Sequence, residues 1–314
     1  MTRGAWATGM PQLLLLGVVW GITFPVARWG VSGGADPLLL VALDFSVAAA
    51  VMAPIAALTR THLPTMGRAL QSAGLGALLI AGINLPLYWG LRFATGGAAS
   101  IVYATSPIVS MAALWAFGGG ATVTRRQFLA LGVGLGGVVL LGWMTTGSSL
   151  VAGFVAIVAF AFGASCQGVG AVLVGRARPQ GEDHWGLTFQ FLGGAGVSFL
   201  VLPLLSPSPA LPLGVATVGS IAYVGIASMA AGYTLFFGMI QRFGAVRANQ
   251  VTFLNPVVAL FVGVVAFGEG FQPLEAAALG LIVLALLLLQ PTRRSGSVTL
   301  SAPGAPMGAP SKSA

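Results

Sequence analysis

Charged side chains are scarce in this chain, with only six acids and fourteen bases among 314 residues, while 57% of the residues are hydrophobic. A water-soluble fold cannot bury so much apolar surface and still cover its outside with polar groups. The bases occur singly or in pairs between apolar runs, so they form no patch for nucleic acid. We therefore predict an integral membrane protein without a nucleic-acid partner.

Residues that commonly carry catalysis or bind metals are also rare. The one cysteine, Cys166, lies in an apolar run and cannot form an intramolecular disulfide. The two histidines, His62 and His184, fall in predicted loops, and neither H-E-x-x-H nor the phosphate-binding G-x-x-x-x-G-K occurs. Ser165 lies in a faintly protease-like G-A-S-C motif, but no histidine base is available at membrane depth. We expect no enzyme, metal or cofactor, and no self-contained coupling to ATP.

Long hydrophobic runs dominate the sequence instead. Ten of them are long enough to cross a hydrocarbon core of roughly 30 Å, which predicts an all-α integral membrane protein with ten transmembrane helices. The first helix begins at Pro11, after a short segment 1–10, and reaches about Ala27 without a convincing signal-peptide cleavage site. The others are expected at 37–58, 70–92, 96–117, 127–145, 150–174, 186–205, 213–240, 246–268 and 273–290. The tail 291–314, rich in Ser, Pro, Gly and Ala, should be disordered.

One polar pattern occurs twice. Asn249, Thr252 and Asn255 precede Pro256 at steps of three, and Ser100, Tyr103 and Ser106 precede Pro107, 149 positions earlier. Proline removes a backbone donor and kinks a helix, so each polar stripe should end at a kink. We infer two five-helix repeats, 11–145 and 150–290.

The distribution of basic residues predicts the orientation. Placing the N-terminus in the cytoplasm leaves only Arg28 and Arg92 outside and puts the other twelve bases inside. Both termini are then cytoplasmic, in a bacterial inner membrane. With five helices in each half, the two repeats have opposite orientations.

Two motifs resemble a known family. L-G-V-V-W-G-I-T-F-P-V-A-R at 16–28 is similar to the first helix of EamA-type proteins of the drug/metabolite transporter superfamily, and N-P-V-V-A-L with a terminal G-E at 255–269 resembles their ninth helix. The likeness extends from Pro11 to Gln290. Gly120 stands where the first copy would carry the family's Glu, and Asp44 stands where many members carry a base. The resemblance implies a secondary transporter, with amino-acid and metabolite exporters among its relatives.

Superposing the halves predicts a central solute cavity. An offset of 149 pairs Asn84 with Tyr233, and an offset of 142 pairs Trp20 with Phe162 and Gly21 with Gly163. Polar groups avoid lipid, so we expect the matched faces to line the cavity. The predicted lining is Trp20, Asn84, Tyr88, Tyr103, Tyr233, Thr252 and Asn255. The alternative is plain helix packing, which small residues such as Ser100, Ser106 and Ser165 favour.

Three charged residues have separate hypotheses. Asp44 lies at membrane depth and is a candidate for proton coupling, or else a tie between helices. Arg92 is either an interfacial anchor or a charge at the outer mouth that meets a carboxylate. Glu269 is expected to accept backbone N–H bonds at the start of the tenth helix.

No Arg or Lys lies near the middle of any predicted segment, whereas a phosphorylated solute would need buried cations. We therefore expect alternating-access export of a small amphipathic metabolite such as an amino acid. A phosphorylated-metabolite or nucleotide-sugar exchanger and a non-transporting scaffold are the alternatives. A channel would need a charged ring or carbonyl filter, which is not visible. The expected partners are the solute and the bilayer; the chain could act as a monomer, although Gly132 and Gly136 would permit close helix contact.

Overall fold

The computed structural model describes residues 3–59, 62–117, 150–177, 184–270 and 273–289, with scattered positions between 118 and 149. Within these residues every regular element is a helix. The predicted fifth segment, 127–145, falls where only isolated positions are described, and the tail 291–314 lies outside the described residues.

The described helices cover nine of the ten predicted segments, but the first helix begins at Arg3, ahead of the predicted start at Pro11. In the first half they are α1 (Arg3–Ser32), α2 (Pro37–Leu58), α3 (Met66–Leu75), α4 (Ala81–Gly90), α5 (Gly96–Tyr103) and α6 (Ser106–Ala116), and a π-helical stretch, Gly76–Ile80, joins α3 to α4. In the second half they are α7 (Leu150–Ala177), α8 (His184–Leu205), α9 (Val215–Ala222), α10 (Tyr233–Phe243), α11 (Ala245–Ala248), α12 (Asn255–Phe267) and α13 (Pro273–Leu289). A π-helical stretch, Tyr223–Gly232, joins α9 to α10, and a 3₁₀ stretch, Asn249–Phe253, follows α11.

Eight of the described helical segments are long and apolar enough to cross a membrane. They are Pro11–Ser32, Pro37–Leu58, Met66–Gly90, Gly96–Ala116, Val151–Arg176, His184–Leu205, Val215–Phe243 and Ala245–Phe267. α13 occupies the place of the predicted tenth segment but has 17 residues. The total of ten membrane helices remains a prediction. His184, expected in a loop, is the first residue of α8 and is buried.

Side-chain caps determine where two of these helices begin. The Asp36 carboxylate accepts hydrogen bonds from the backbone N–H groups of Leu38 (2.9 Å) and Leu39 (3.1 Å), and Pro37 occupies the first helical position, where no N–H is needed. Thr95 caps α5 in the same way through Ala98 (3.1 Å). Both caps lie at the end of the bundle that also carries Arg92, which we call the Arg92 end.

The two halves interleave into one bundle. α2 packs along α8, α4 along α7, and α1 along α12, so each of these contacts joins the first half to the second. The backbones approach closely where α8 crosses α3: a side chain on Gly193 would collide with the carbonyl oxygen of Ala73. Small residues at crossings are typical of membrane helices, because close backbone packing stabilises them in the absence of a hydrophobic driving force.

The two proline-containing segments run antiparallel beside each other. The start of α5 lies beside the end of α12. There the Gly96 N–H donates to the carboxylate of Glu269, which follows α12 (3.3 Å). Farther along, Ser106 meets Thr252 (3.4 Å), and Ser110 accepts from Asn249 (2.5 Å). As the first segment ascends in number the second descends, which is the relationship that two inverted copies require.

The structure corrects the predicted register of α1 and α7. The space beside Gly21 is filled by Val258 and the carbonyl of Asn255, and the space beside Gly168 by Val109 and the carbonyl of Ser106. These filling residues are themselves matched at the 149-residue offset, so Gly21 corresponds to Gly168, 147 positions away. The 142-residue offset, with Gly21 against Gly163 and Trp20 against Phe162, is therefore wrong. Apolar, glycine-rich segments match in several registers, and only packing distinguishes among them.

Candidate functional site

The helix breaks next to Pro107 and Pro256 form the centre of the candidate site. α5 ends at Tyr103 and α6 begins at Ser106, while the 3₁₀ stretch ends at Phe253 and α12 begins at Asn255. Neither proline has an N–H, so the carbonyls of Tyr103 and Thr252, four residues upstream, lose their usual α-helical donors. The hydroxyls of Ser106 and Thr252 lie 3.4 Å apart between the two breaks. Polar groups of both halves therefore meet inside the bundle.

A second polar group adjoins the breaks on the side away from the Arg92 end. Asn249 donates to the Ser110 hydroxyl (2.5 Å) and accepts from the Gln167 amide (3.5 Å), and Ser110 also contacts the Gly168 carbonyl (3.0 Å). The sequence prediction did not select Gln167, Ser110 or Asn249 for the site. The sequence feature that could have indicated this group is the amide of Gln167, which stands isolated in the apolar α7.

Asn255, at the start of α12, is 2% exposed, and its side-chain oxygen has no hydrogen-bond partner among the described residues. An unpaired buried carbonyl oxygen is costly, so it is a group that a bound ligand can satisfy.

An aromatic cluster surrounds Tyr233: the rings of Trp20 and Phe236 lie beside it, and Asn84 bonds to its hydroxyl. The Trp20 ring lies 5.4 Å from that of Tyr233 and 4.8 Å from that of Phe236, and its indole N–H donates to the Ser228 carbonyl (3.1 Å). The Asn84 amide donates to the Tyr233 hydroxyl (3.4 Å). Asn84 and Tyr233 are a matched pair of the two repeats, and matched residues contact each other only near the axis that relates the copies. This contact therefore places the cluster close to that axis.

The other two predicted tyrosines have different partners. The Tyr88 hydroxyl donates to the Asp44 carboxyl, a contact between α4 and α2. Asp44 is fully buried, and its second oxygen has no partner among the described residues. Tyr103 donates to the Ile83 carbonyl (2.6 Å), and its ring packs edge-on against Phe24 at 5.5 Å.

The structure thus divides the seven predicted cavity residues among neighbouring contacts. Trp20, Asn84 and Tyr233 come together, Thr252 and Asn255 lie at the helix breaks, and the two tyrosines of the first half bond elsewhere. All seven side chains are at most 8% exposed. Their assignment to one solute cavity remains a proposal.

At the Arg92 end, charged groups border an open cleft of about 400 Å³. The Arg92 guanidinium lies 3.1 Å from the Asp36 carboxylate, which also accepts from the Ser206 hydroxyl (2.5 Å). Arg28 lines the same cleft and donates to the Leu91 carbonyl. The Asp36 backbone N–H is held by the Ala210 carbonyl (2.8 Å). These contacts tie the start of α2 to the loops that follow α4 and α8.

Glu269 has a different partner from the one expected. It follows Gly268, whose φ of 64° ends α12, and its carboxylate accepts from the backbone N–H groups of Gly96 and Gly97 at the start of α5. The expected contact was with the start of the tenth helix. Burial raises the pKa of Glu269, while the two backbone bonds and the nearby Arg28 oppose that shift. The acid therefore joins the two halves at the Arg92 end.

Membrane-length helices in two related halves, broken at matched prolines around buried polar groups, define a multi-pass membrane transporter of the two-repeat type. Residues 7–143 and 149–290 each match the EamA-like transporter family. The chain belongs to the EamA-like transporter family, within the drug/metabolite transporter superfamily. This is a family of transporters.

Curated relatives cover most of the chain. The uncharacterized inner membrane transporter YedA of Escherichia coli is 25% identical over 282 residues, covering 88% of this chain and 89% of the relative. A protein of Streptantibioticus cattleyicolor, named a probable terminal-alkyne amino-acid exporter, is 27% identical over 307 residues, covering 92% and 94%. Protein PecM of Dickeya dadantii is 26% identical over 274 residues, covering 87% and 89%. A solved crystal structure with 22% identity matches 92% of this chain and 97% of its own with a TM-score of 0.64, so the two share a fold.

The partly buried carboxyl of Glu269 generates a prediction for Glu269→Gln, whose amide oxygen can still accept from Gly96. A carboxyl with a raised pKa in the folded state stabilises the fold most below its ordinary pKa of 4.5, and this contribution is lost as pH rises through the raised value. We expect the two proteins to unfold at the same temperature in acid, and the Gln variant to be the more thermostable near neutral pH. Thermal unfolding in detergent across this range measures the difference.

Glu269→Ala is the control for the hydrogen bond itself. It removes the acceptor of the Gly96 N–H, so it should be less stable than Glu269→Gln at every pH. Parallel pH profiles of the wild type and the Gln variant would contradict the assigned burial of the carboxylate.

Proposed function

We propose that the protein is a secondary transporter that exports small amphipathic metabolites, such as amino acids, by alternating access. The observation that carries this proposal is the meeting of two matched helix breaks, in antiparallel segments, at buried polar groups. In an inverted repeat, a site at the axis can be exposed to either side by equivalent movements of the two copies. A scaffold has no use for such an exchange of sides.

The chemistry of the buried groups supports a zwitterionic or neutral solute. Amide oxygens such as that of Asn255, together with the carbonyls released by the prolines, can accept from an ammonium group, and the hydroxyls of Ser106 and Thr252 can donate to a carboxylate. The face of Trp20 can contact a cation or an apolar side chain. In the described spans the basic residues lie toward helix ends, which disfavours a phosphorylated solute. The amino-acid exporter among the relatives supports the same class.

We further propose that both termini are cytoplasmic and that the Arg92 end faces outward. Among the described basic residues only Arg28 and Arg92 lie at that end, whereas Arg176 and Arg242 end helices that finish at the opposite one. Lys and Arg are enriched on the cytoplasmic side of membrane proteins, and this count supports the orientation. Export then runs from the Arg176 end toward the Arg92 end.

Counterflow tests the proposed function. Vesicles that contain the purified protein and an excess of unlabelled amino acid should accumulate the labelled amino acid with saturable kinetics. Asn255→Leu should reduce the rate at least about tenfold, because the solute loses a buried hydrogen-bond acceptor. Val257→Leu, at an exposed position of the same helix, is the matched control and should leave the rate unchanged.

The other outcomes separate the alternatives. Exchange of sugar phosphates but not of amino acids would support a phosphorylated-metabolite exchanger. Non-saturating flux would indicate a channel, and no flux of any member of a broad metabolite panel through well-folded protein would favour a scaffold.

The Asp44–Tyr88 pair supports a proposal for coupling. Within the eight described membrane-length segments Asp44 is the one acid, and one of its oxygens is unpartnered among the described residues. We propose that it carries a proton during transport. Asp44→Asn keeps an acceptor for Tyr88 but cannot titrate. It should retain counterflow and lose stimulation by an imposed pH gradient. Gradient-driven transport at the wild-type rate in this variant would mean that Asp44 only ties α2 to α4.

A further inference from the structure

The cleft at the Arg92 end contains groups from both halves of the bundle. Arg28 belongs to the last turns of α1, Asp36 caps α2, Arg92 follows α4, and Ser206 and Ser208 lie in the loop after α8. Its volume of about 400 Å³ lies within the range of small-molecule pockets, about 300–1,000 Å³. This cleft is separate from the helix breaks at Pro107 and Pro256.

Asp36 contributes to the walls of the cleft and leaves little capacity for a ligand. One of its oxygens accepts from the N–H groups of Leu38 and Leu39, and the other accepts from Arg92 and Ser206. A carboxylate offers about four lone-pair positions, and these four donors occupy them. An incoming ammonium group would therefore have to displace an existing partner.

The two guanidinium groups have donors to spare. A guanidinium carries five N–H donors. Among the described residues, Arg92 gives one nitrogen to Asp36 and Arg28 gives one to the Leu91 carbonyl. The Arg92 side chain is 38% exposed, so it is accessible from the cleft. Two cations and one anion line this space, and the Ser208 hydroxyl adds a further donor, whereas that of Ser206 is already directed to Asp36.

Glu269 is the other charged group near the cleft. It interacts electrostatically with Arg28, but its oxygens are directed to the backbone N–H groups of Gly96 and Gly97. It therefore moderates the charge on Arg28 without occupying its remaining donors.

We propose that this cleft is a second binding site, which holds the carboxylate of the solute at the outer end of the transport path. The inference rests on the proposed function for the identity of the solute, and on the surplus of donors for the chemistry. Guanidinium groups bind carboxylates through paired, charge-assisted hydrogen bonds. Because the cleft is open, this binding is weak, salt-dependent and selective for anions over cations.

Ligand-dependent thermal stability tests the site without requiring transport. The probes are butyrate and butylammonium, each compared with sodium chloride at equal ionic strength, added to the full chain in lipid-free detergent. Butyrate should raise the unfolding temperature saturably, since it binds the folded state, and butylammonium should not. Arg28→Gln and Arg92→Gln should each raise the half-saturating concentration of butyrate about fivefold or more. Arg92→Lys, which retains the charge, should restore part of the effect.

A central-site variant separates failure of this proposal from failure of the proposed function. Asn255→Leu should respond to butyrate like the wild type, whether or not the wild type transports amino acids. Equal responses in all four proteins, the wild type and the three glutamine and leucine variants, would overturn the cleft site. Inorganic phosphate outcompeting butyrate, with the response abolished by phosphatidylglycerol, would overturn it in favour of a lipid-headgroup site.

Discussion

Backbone groups that lose their helical partners inside a membrane must find others, because lipid offers none. Pro107 and Pro256 create this requirement at matched positions of the two repeats, and the two breaks lie together inside the bundle. Ser106 and Thr252 meet between them, with the Asn249 and Ser110 contacts alongside. Buried polar side chains of both halves therefore gather where the two helices break. The surrounding crossings, such as that of Gly193 over Ala73, allow the backbones to approach closely enough for these contacts to form.

The two copies differ in sequence at several matched positions. Gln167 in α7 occupies the position that corresponds to Trp20 in α1, so one copy presents an amide to Asn249 and the other an indole to Tyr233. Glu269 closes the second copy against the start of α5, whereas the sequence has Gly120 at the matched position of the first. Such differences make the two halves chemically unequal although their helices follow the same plan.

Much of the fold could be predicted from the sequence, because length and hydrophobicity alone determine membrane spans. The segment 37–58 has the predicted bounds, since Asp36 and Pro37 mark a helix start unambiguously. The matched prolines located the breaks, because proline acts through local backbone chemistry. α1 continues to Ser32, past the predicted end near Ala27, and ends just before Gly33 and Gly34, the second of which has a φ of 89°.

The partners of polar residues could not be predicted in the same way. Tyr88 contacts Asp44, and Glu269 contacts Gly96, through packing between helices that are distant in the chain. The register of α1 and α7 has the same origin: Gly21 and Gly168 are equivalent because of what fills the space beside them. The cleft lined by Arg28 and Arg92 depends on loops from both halves, whose arrangement has no periodic signal in the sequence.

We propose that the paired helix breaks form a site open to each side of the membrane in turn. A single cysteine at Thr252, in a chain with Cys166→Ala, tests it most directly, because Thr252 is fully buried between the breaks. In oriented vesicles, a membrane-impermeant thiol reagent should modify this cysteine from either side, and a transported amino acid should slow the reaction. Absence of reaction from both sides, while a cysteine at Ser208 in the cleft reacts readily, would contradict the account.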